Sequence, residues 1–163
     1  MFRADETAAR GFREIVLTGV NLGCFRDREA GYTLARLVRE AGAIPGVKRL
    51  RLSSIEVNHL GGELVSALRE TPTVSPHLHV PLQSGDDGIL RAMGRRYTSA
   101  QYLAQLEPLA DLNLTTDVIV GFPGEDEDAL AGVSSKSSNS PVYLLSLLRK
   151  IRHWRKSFPA KAL

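Results

Sequence analysis

A chain of 163 residues with 43% hydrophobic content is sized for one domain around one core. No apolar run approaches the ~20 residues that cross a bilayer, and the opening MFRADETAARGF carries acid and no apolar stretch, so neither a spanning helix nor a secretory signal is expected. A single cysteine, Cys24, excludes an internal disulfide framework and any metal centre built from several thiolates of this chain, and a cytoplasmic protein is the default expectation.

Charge is divided unevenly along the chain. Residues 1–133 hold fourteen Lys and Arg against eighteen Asp and Glu, a net of −4, whereas residues 134–163 hold seven bases and no acid. The bases change as well, from thirteen Arg and one Lys (Lys48) to three Arg and four Lys, and "SSKSSNS" occupies 134–140. Such asymmetry fits a basic arm for nucleic acid, or two parts that did not evolve as one unit.

In chain order, "EIVLTGV" (14–20) reads as the first strand. A helix over 31–41 follows, with Leu34, Leu37 and Val38 on one face, and "GAIPG" stops it. "LRLSSI" (50–55) is the second strand, and 60–70 the second helix, with Leu64, Val65 and Leu68 together before Pro72. "HLHVPL" (77–82) is the third strand; helical patterns follow at 86–94 and 99–110, the latter N-capped by Thr98 or Ser99. "TTDVIVG" (115–121) is the fourth strand. All four strands read as near-continuous apolar runs, as expected of a parallel sheet covered by helices. Strand–helix alternation predicts a parallel α/β fold.

Polar and small residues gather at every strand's C-terminal end: Thr18-Gly19-Val20-Asn21, Ser53-Ser54-Ile55-Glu56, Gln83-Ser84-Gly85, and Asp117 through "GFPGE" (121–125). Any one of these is most simply a turn or a helix cap. All four together predict a partial parallel β/α barrel, incomplete, with a site at its C-terminal face. Neither a dinucleotide fingerprint nor a P-loop is present, since "TGVNLG" has the wrong spacing.

Four stretches taken in order, "EIVLTGVNLG" (14–23), "RLSSIE" (51–56), "HLHVPLQSGDDGILRAMGRRYT" (77–98) and "TDVIVGFPGE" (116–125), resemble the radical-SAM methylthiotransferases. The similarity covers residues 4–131, and its most specific part is the long third stretch. "IVLTGVNLG" and "HLHVPLQSG" are most similar to the branch acting on threonylcarbamoyladenosine in tRNA. The resemblance implies a TIM-barrel-like core, tRNA as substrate, S-adenosylmethionine as methyl donor and radical source, and a [4Fe–4S] cluster. It implies that Thr18, Gly19 and Asn21 lie by the methionyl amino group, with Ser54 and Glu56 facing the ribose or the carboxylate. Gln83 and Ser84 would sit where ribose and substrate meet, and Val118 to Gly121 beneath the adenine. Asp117 has an equally good structural reading.

The departures are as informative as the matches. The family's cluster hangs on a Cys-x-x-x-Cys-x-x-Cys loop, and this chain has one cysteine, outside any such motif. The family's N-terminal domain, its tRNA-binding β-domain and the first and last of its six barrel strands have no counterpart in the sequence. Residues 1–132 are therefore expected to be a partial radical-SAM core, inactive alone, and 133–163 a divergent basic tail whose frame or gene boundary was lost. The alternative is a non-catalytic remnant whose segment "VYLLSLLRKIRHWRKSF" (142–158) forms a basic amphipathic helix for RNA or an acidic surface.

Other residues read more plainly. His77 and His79 share a strand face, but with no third ligand a structural role is preferred to a metal pair. "EDED" (125–128) reads as negative charge at a helix start rather than a metal cluster. "GRRY" (94–97) is balanced between RNA contact and a solvated turn. Cys24 is expected to be a semi-buried small residue, with no histidine in its own motif to activate it.

Overall fold

The computed structural model describes residues 10–126. The readings placed on 127–163, including the basic helix over 142–158, lie outside the described residues.

The first strand, β1 (Glu14–Leu17), pairs in parallel with β4 (Arg49–Leu52), Glu14 opposite Arg49 and Leu17 opposite Leu52. Further along, β5 (His77–His79) pairs in parallel with β6 (Asn113–Thr115). The two pairs are joined by main-chain bonds from Leu50 N to Thr73 O (2.7 Å), Ser75 N to Leu50 O (2.8 Å) and Ile55 N to His79 O (3.0 Å). The order β1–β4–β5–β6 is thus also the chain order, with a helical crossover at each step, which is the arc of a β/α barrel.

Three of the four described α-helices start where a side chain supplies the missing acceptor. In α1 (Leu34–Gly42) Thr33 Oγ1 accepts from Arg36 N, and Leu34, Leu37, Val38 and Ala41 are buried. The helix begins three residues later than the periodicity predicts. Residues Tyr32–Thr33 are taken by a hairpin, β2 (Arg26–Asp27) with β3 (Tyr32–Thr33), which the sequence did not disclose. Asp27 Oδ1 closes its turn by accepting from Glu29 N and Ala30 N. In α2 (Gly62–Glu70) Leu64, Ala67 and Leu68 face the core. Asp86 caps α3 (Asp87–Ala92), accepting from Ile89 N at 2.8 Å. Thr98 and Gln101 form a reciprocal capping box on α4 (Ser99–Leu106). Pro108 has no N–H to continue the α-helical ladder, and Glu107–Leu109 follow as a 3₁₀ turn rather than the expected helix to 110.

The strands correct the expectation of continuous apolar runs. Leu50, Leu52, Leu78, Val80 and Leu114 are buried against the helices, while Arg49, Arg51, His77, His79 and Thr115 occupy the other face. Period two was visible in "RLRL" and "HLHV", so one face of this sheet is polar or open. The edge strand leaves Val16 54% exposed, and Val20 beyond it is fully exposed. Ile119, past the other edge, is 45% exposed. Among the described residues no helix is long and apolar enough to cross a membrane.

Candidate functional site at the strand ends

Because the four strands run in parallel and in order, their C-terminal ends share one rim. Backbone bonds fasten it: Ser53 N donates to Leu17 O (2.9 Å), Gln83 N to Asp117 O (2.9 Å) and Ile119 N to Gln83 O (2.8 Å). The nine predicted contact residues all fall on this rim or in the loops leaving it.

Thr18, Gly19 and Asn21 follow β1 and are exposed. Asn21 begins a 3₁₀ turn, Leu22–Cys24, yet its side chain makes no capping bond, and only its carbonyl is used, by Cys24 N. A Cβ at Gly19 would meet Leu22 at 3.8 Å, an ordinary contact, so nothing among the described residues requires glycine there. Ser54 is exposed. Its neighbour Ser53, passed over by the sequence reading, has a buried Oγ with no partner among the described residues.

Glu56 is committed within the protein. Arg95 Nη1 donates to its Oε1 at 2.8 Å, and His59 Nε2 stands 3.9 Å from Oε2. Arg95 comes from "GRRY", so this arginine of the motif is engaged within the protein, while Arg96 beside it is exposed. Its Tyr97 is buried and donates to Leu82 O at 3.0 Å. The carboxylate of Glu56 is therefore held in place from below by a residue 39 positions away, which no spacing argument could reveal.

Gln83 is the one non-glycine residue among those described with a positive φ, 71°. Its N–H and C=O are both locked to the strand carrying Val118. Backbone strain of this kind persists only where the surroundings over-determine it, and it gathers at functional sites. Ser84 is fully buried and its Oγ accepts from Asp86 N at 3.2 Å. Its hydroxyl thus serves the turn that sets Gln83, not the open face. Val118 is half-buried and packs on the core. Gly121 has φ +81°, and its N–H donates to the Glu125 side chain, so "EDED" begins by closing the Gly-Phe-Pro-Gly turn.

Cys24 departs from its expected setting: it is exposed, and Sγ lies 3.4 Å from His59 Nε2. Gly23 makes this approach feasible, since a Cβ there would stand 2.5 Å from His59 Cβ. A cleft of about 590 Å³ opens beside the pair, lined by Arg26, Arg28, Asn58 and Glu63 among others and by none of the nine rim residues. His77 and His79 are engaged in hydrogen bonds of the sheet face. They share the Thr115 hydroxyl, and no group of three or more His, Cys, Asp or Glu among the described residues is arranged to hold a metal ion.

The model of the radical SAM superfamily matches residues 3–134. The chain belongs to that superfamily. A barrel-like α/β core is what the superfamily implies, and the four-strand arc is a part of one. The chain is 42% identical over 126 residues to the threonylcarbamoyladenosine tRNA methylthiotransferase MtaB of Thermotoga maritima, covering 75% of this chain and 29% of that protein. It is 40% identical over 134 residues to the tRNA-2-methylthio-N(6)-dimethylallyladenosine synthase of Jannaschia sp., covering 78% and 29%. MtaB of Bacillus subtilis is 38% identical over 131 residues, covering 77% and 29%. The chain spans less than a third of the length of these relatives. Both kinds of tRNA methylthiotransferase are among them, so the radical-SAM methylthiotransferase resemblance holds while the branch is left open by the names.

Two cofactors go with this family, and they fit the chain differently. The sequence has one cysteine, whose sulfur faces His59, so this chain's own residues do not make a three-thiolate seat for a [4Fe–4S] cluster. The rim is better suited to S-adenosylmethionine. It offers an uncommitted Asn21 amide, an orphaned Ser53 hydroxyl and an oriented Glu56 carboxylate, which suit the amino, carboxylate and ribose groups of that molecule.

Proposed function

We propose that this chain provides the S-adenosylmethionine cradle of a tRNA methylthiotransferase of the threonylcarbamoyladenosine branch. Support comes chiefly from the four parallel strand ends converging on one rim whose Gln83 is held at φ 71° by bonds on both sides. In this reading Thr18, Gly19 and Asn21 receive the methionyl amino end, and Ser54 and Glu56 the carboxylate or ribose. Gln83 meets the ribose and Val118 to Gly121 underlie the adenine. S-adenosylmethionine supplies the methyl group of the reaction. The residues of this chain bind and orient it: Arg95 holds the Glu56 carboxylate in position, and Ser84 braces the turn that aims Gln83. With one cysteine, the chain binds without itself holding the cluster, and is inactive alone.

Calorimetry of the purified chain with S-adenosylmethionine, in the absence of iron and sulfide, tests this. Binding that falls at least tenfold in both Glu56→Ala and Gln83→Ala is expected. A folded sample without affinity sinks the reading.

A second reading rests on the seven bases and no acid of residues 134–163. A non-catalytic protein with an RNA-binding tail would bind tRNA in a strongly salt-dependent way. Deleting 134–163 would abolish that binding, whereas the cradle's affinity for S-adenosylmethionine would be untouched.

A further inference from the structure

His77 and His79 leave β5 on the face turned away from the helices, and Thr115 of the neighbouring β6 stands between them. Its Oγ lies 3.1 Å from His77 Nε2 and 3.0 Å from His79 Nδ1. On its far side His79 meets a carboxylate, with Nε2 3.2 Å from Asp117 Oδ2. These three contacts fix the hydrogens one after another. An ionised carboxylate only accepts, so His79 carries its hydrogen on Nε2. Its Nδ1 is then an acceptor, and the Thr115 hydroxyl must direct its single hydrogen there. What remains on Thr115 is a lone pair, so His77 holds its hydrogen on Nε2 and donates. His77 Nδ1 is left bare, without a partner among the described residues.

We propose that His77, Thr115, His79 and Asp117 form a directed proton relay across the open face of the sheet, joining a proton donor at His77 Nδ1 to the Asp117 carboxylate. A proton arriving at His77 Nδ1 releases the Nε2 hydrogen to Thr115. Thr115 passes its own hydrogen to His79 Nδ1, and His79 passes its Nε2 hydrogen to Asp117. One proton enters, one leaves, no bond to carbon changes, and every hydrogen bond in the chain is reversed. The side chain of Asp117 is 71% exposed, so the delivered proton passes on to water.

The charged neighbours suit this role. Arg51 of β4 faces His77 and is itself 3.8 Å from Glu14 of β1. Burial first, then Arg51, then His79, keep His77 below the ordinary imidazole range, so it hands a proton on instead of storing it. The ligand served is one that gives up a proton on this face. That last clause rests on the rim being the site, while the hydrogen-bond chain belongs to the protein alone.

Long-range proton–nitrogen correlation spectra of the ¹⁵N-labelled chain at pH 7.5, with no ligand added, test the relay. Both imidazoles are expected as Nε2–H tautomers. Asp117→Asn lets His79 donate or accept, and mixed tautomers should then appear at His77 as well, which Asp117 does not touch. With Thr115→Val added, the mixing should stop at His79, and Thr115→Ser should restore transmission. An Nδ1–H tautomer at His79 in the parent chain overturns the proposal. So does a response of His77 to Asp117→Asn that is the same with and without the threonine hydroxyl. Because no S-adenosylmethionine is used, failure of the cradle reading leaves this outcome unaffected.

Discussion

Tyr102 of α4 ties the helical layer to the rim, and its hydroxyl offers a quantitative test of that tie. It is 1% exposed, donates to Val80 O at 2.7 Å and lies 3.2 Å from Thr116 Oγ1, which itself accepts from Leu82 N at 2.7 Å. Tyr102→Phe keeps the ring and leaves the buried Val80 carbonyl without this donor, a loss of about 1–3 kcal/mol. Burial is the main reason that the phenol is pushed up to about 12; the Thr116 bond opposes it and Tyr97 adds to it. An unfolded tyrosine titrates near 10, so the folded state holds this proton more tightly. The associated stability is complete below about pH 10 and is lost as pH rises from there to about 12, roughly 2.7 kcal/mol for a shift of about two units. Tyr97 is raised by burial as well and adds to the loss in the parent chain. The difference between parent and Tyr102→Phe isolates Tyr102. Urea unfolding followed by far-ultraviolet circular dichroism at pH 8, 10, 11 and 11.5 measures it. Parallel loss in both proteins across that window would refute the argument. So would a Tyr102→Phe variant within about 0.5 kcal/mol of the parent at pH 8.

Glycine substitutions should separate packing from site. Gly23→Ala would drive a Cβ into His59 and cost about 1–3 kcal/mol, whereas Gly19→Ala, with 3.8 Å to Leu22, should change thermal stability by no more than about 0.5 kcal/mol. Gln83→Gly removes the penalty of a left-handed side-chain-bearing residue and should raise the urea midpoint, worth up to about 1 kcal/mol, while weakening S-adenosylmethionine binding. Asp87→Ala deprives both the backbone N–H and the hydroxyl of Ser99 of a 2.8 Å partner, and a loss of about 1–2 kcal/mol is expected from denaturant titration. On the acid side, His77 is held below its usual 6.5, so its contribution is present above that value and is lost as pH falls through it. His77→Gln should flatten the stability profile between pH 7 and 5.

Much of the scaffold was legible because local chemistry specified it. Thr98 or Ser99 announced a helix start, Pro72 and "GAIPG" announced stops, and the leucines of α1 and α2 fell on the predicted faces. The strands were located less well: β1 ends at Leu17 and β6 at Thr115, short of the runs predicted to 20 and 121. Past those points the apolar side chains of Val20 and Ile119 lie in the open, even though Ile119 N still pairs with Gln83 O. Hydrophobicity marks what wants burial, and the packing of the folded chain decides what receives it. Motif resemblance brought the rim residues to notice, but it could not tell an outward side chain from an inward one. Ser84 was grouped with Gln83, and only the fold turned one hydroxyl into the core and its neighbour's backbone to φ 71°.

By itself the sequence determined the alternation of strand and helix, the single thiol that denies the chain a cluster of its own, and the family to which its motifs belong. The tertiary structure alone decided the partnerships across distance: Arg95 beneath Glu56, Cys24 against His59, and Thr115 between two histidines. Those pairs are separated by 35 to 39 residues. Hydrogen bonds act over about 3 Å, so contacts that far apart in the chain exist only after parallel strands have been laid side by side in register.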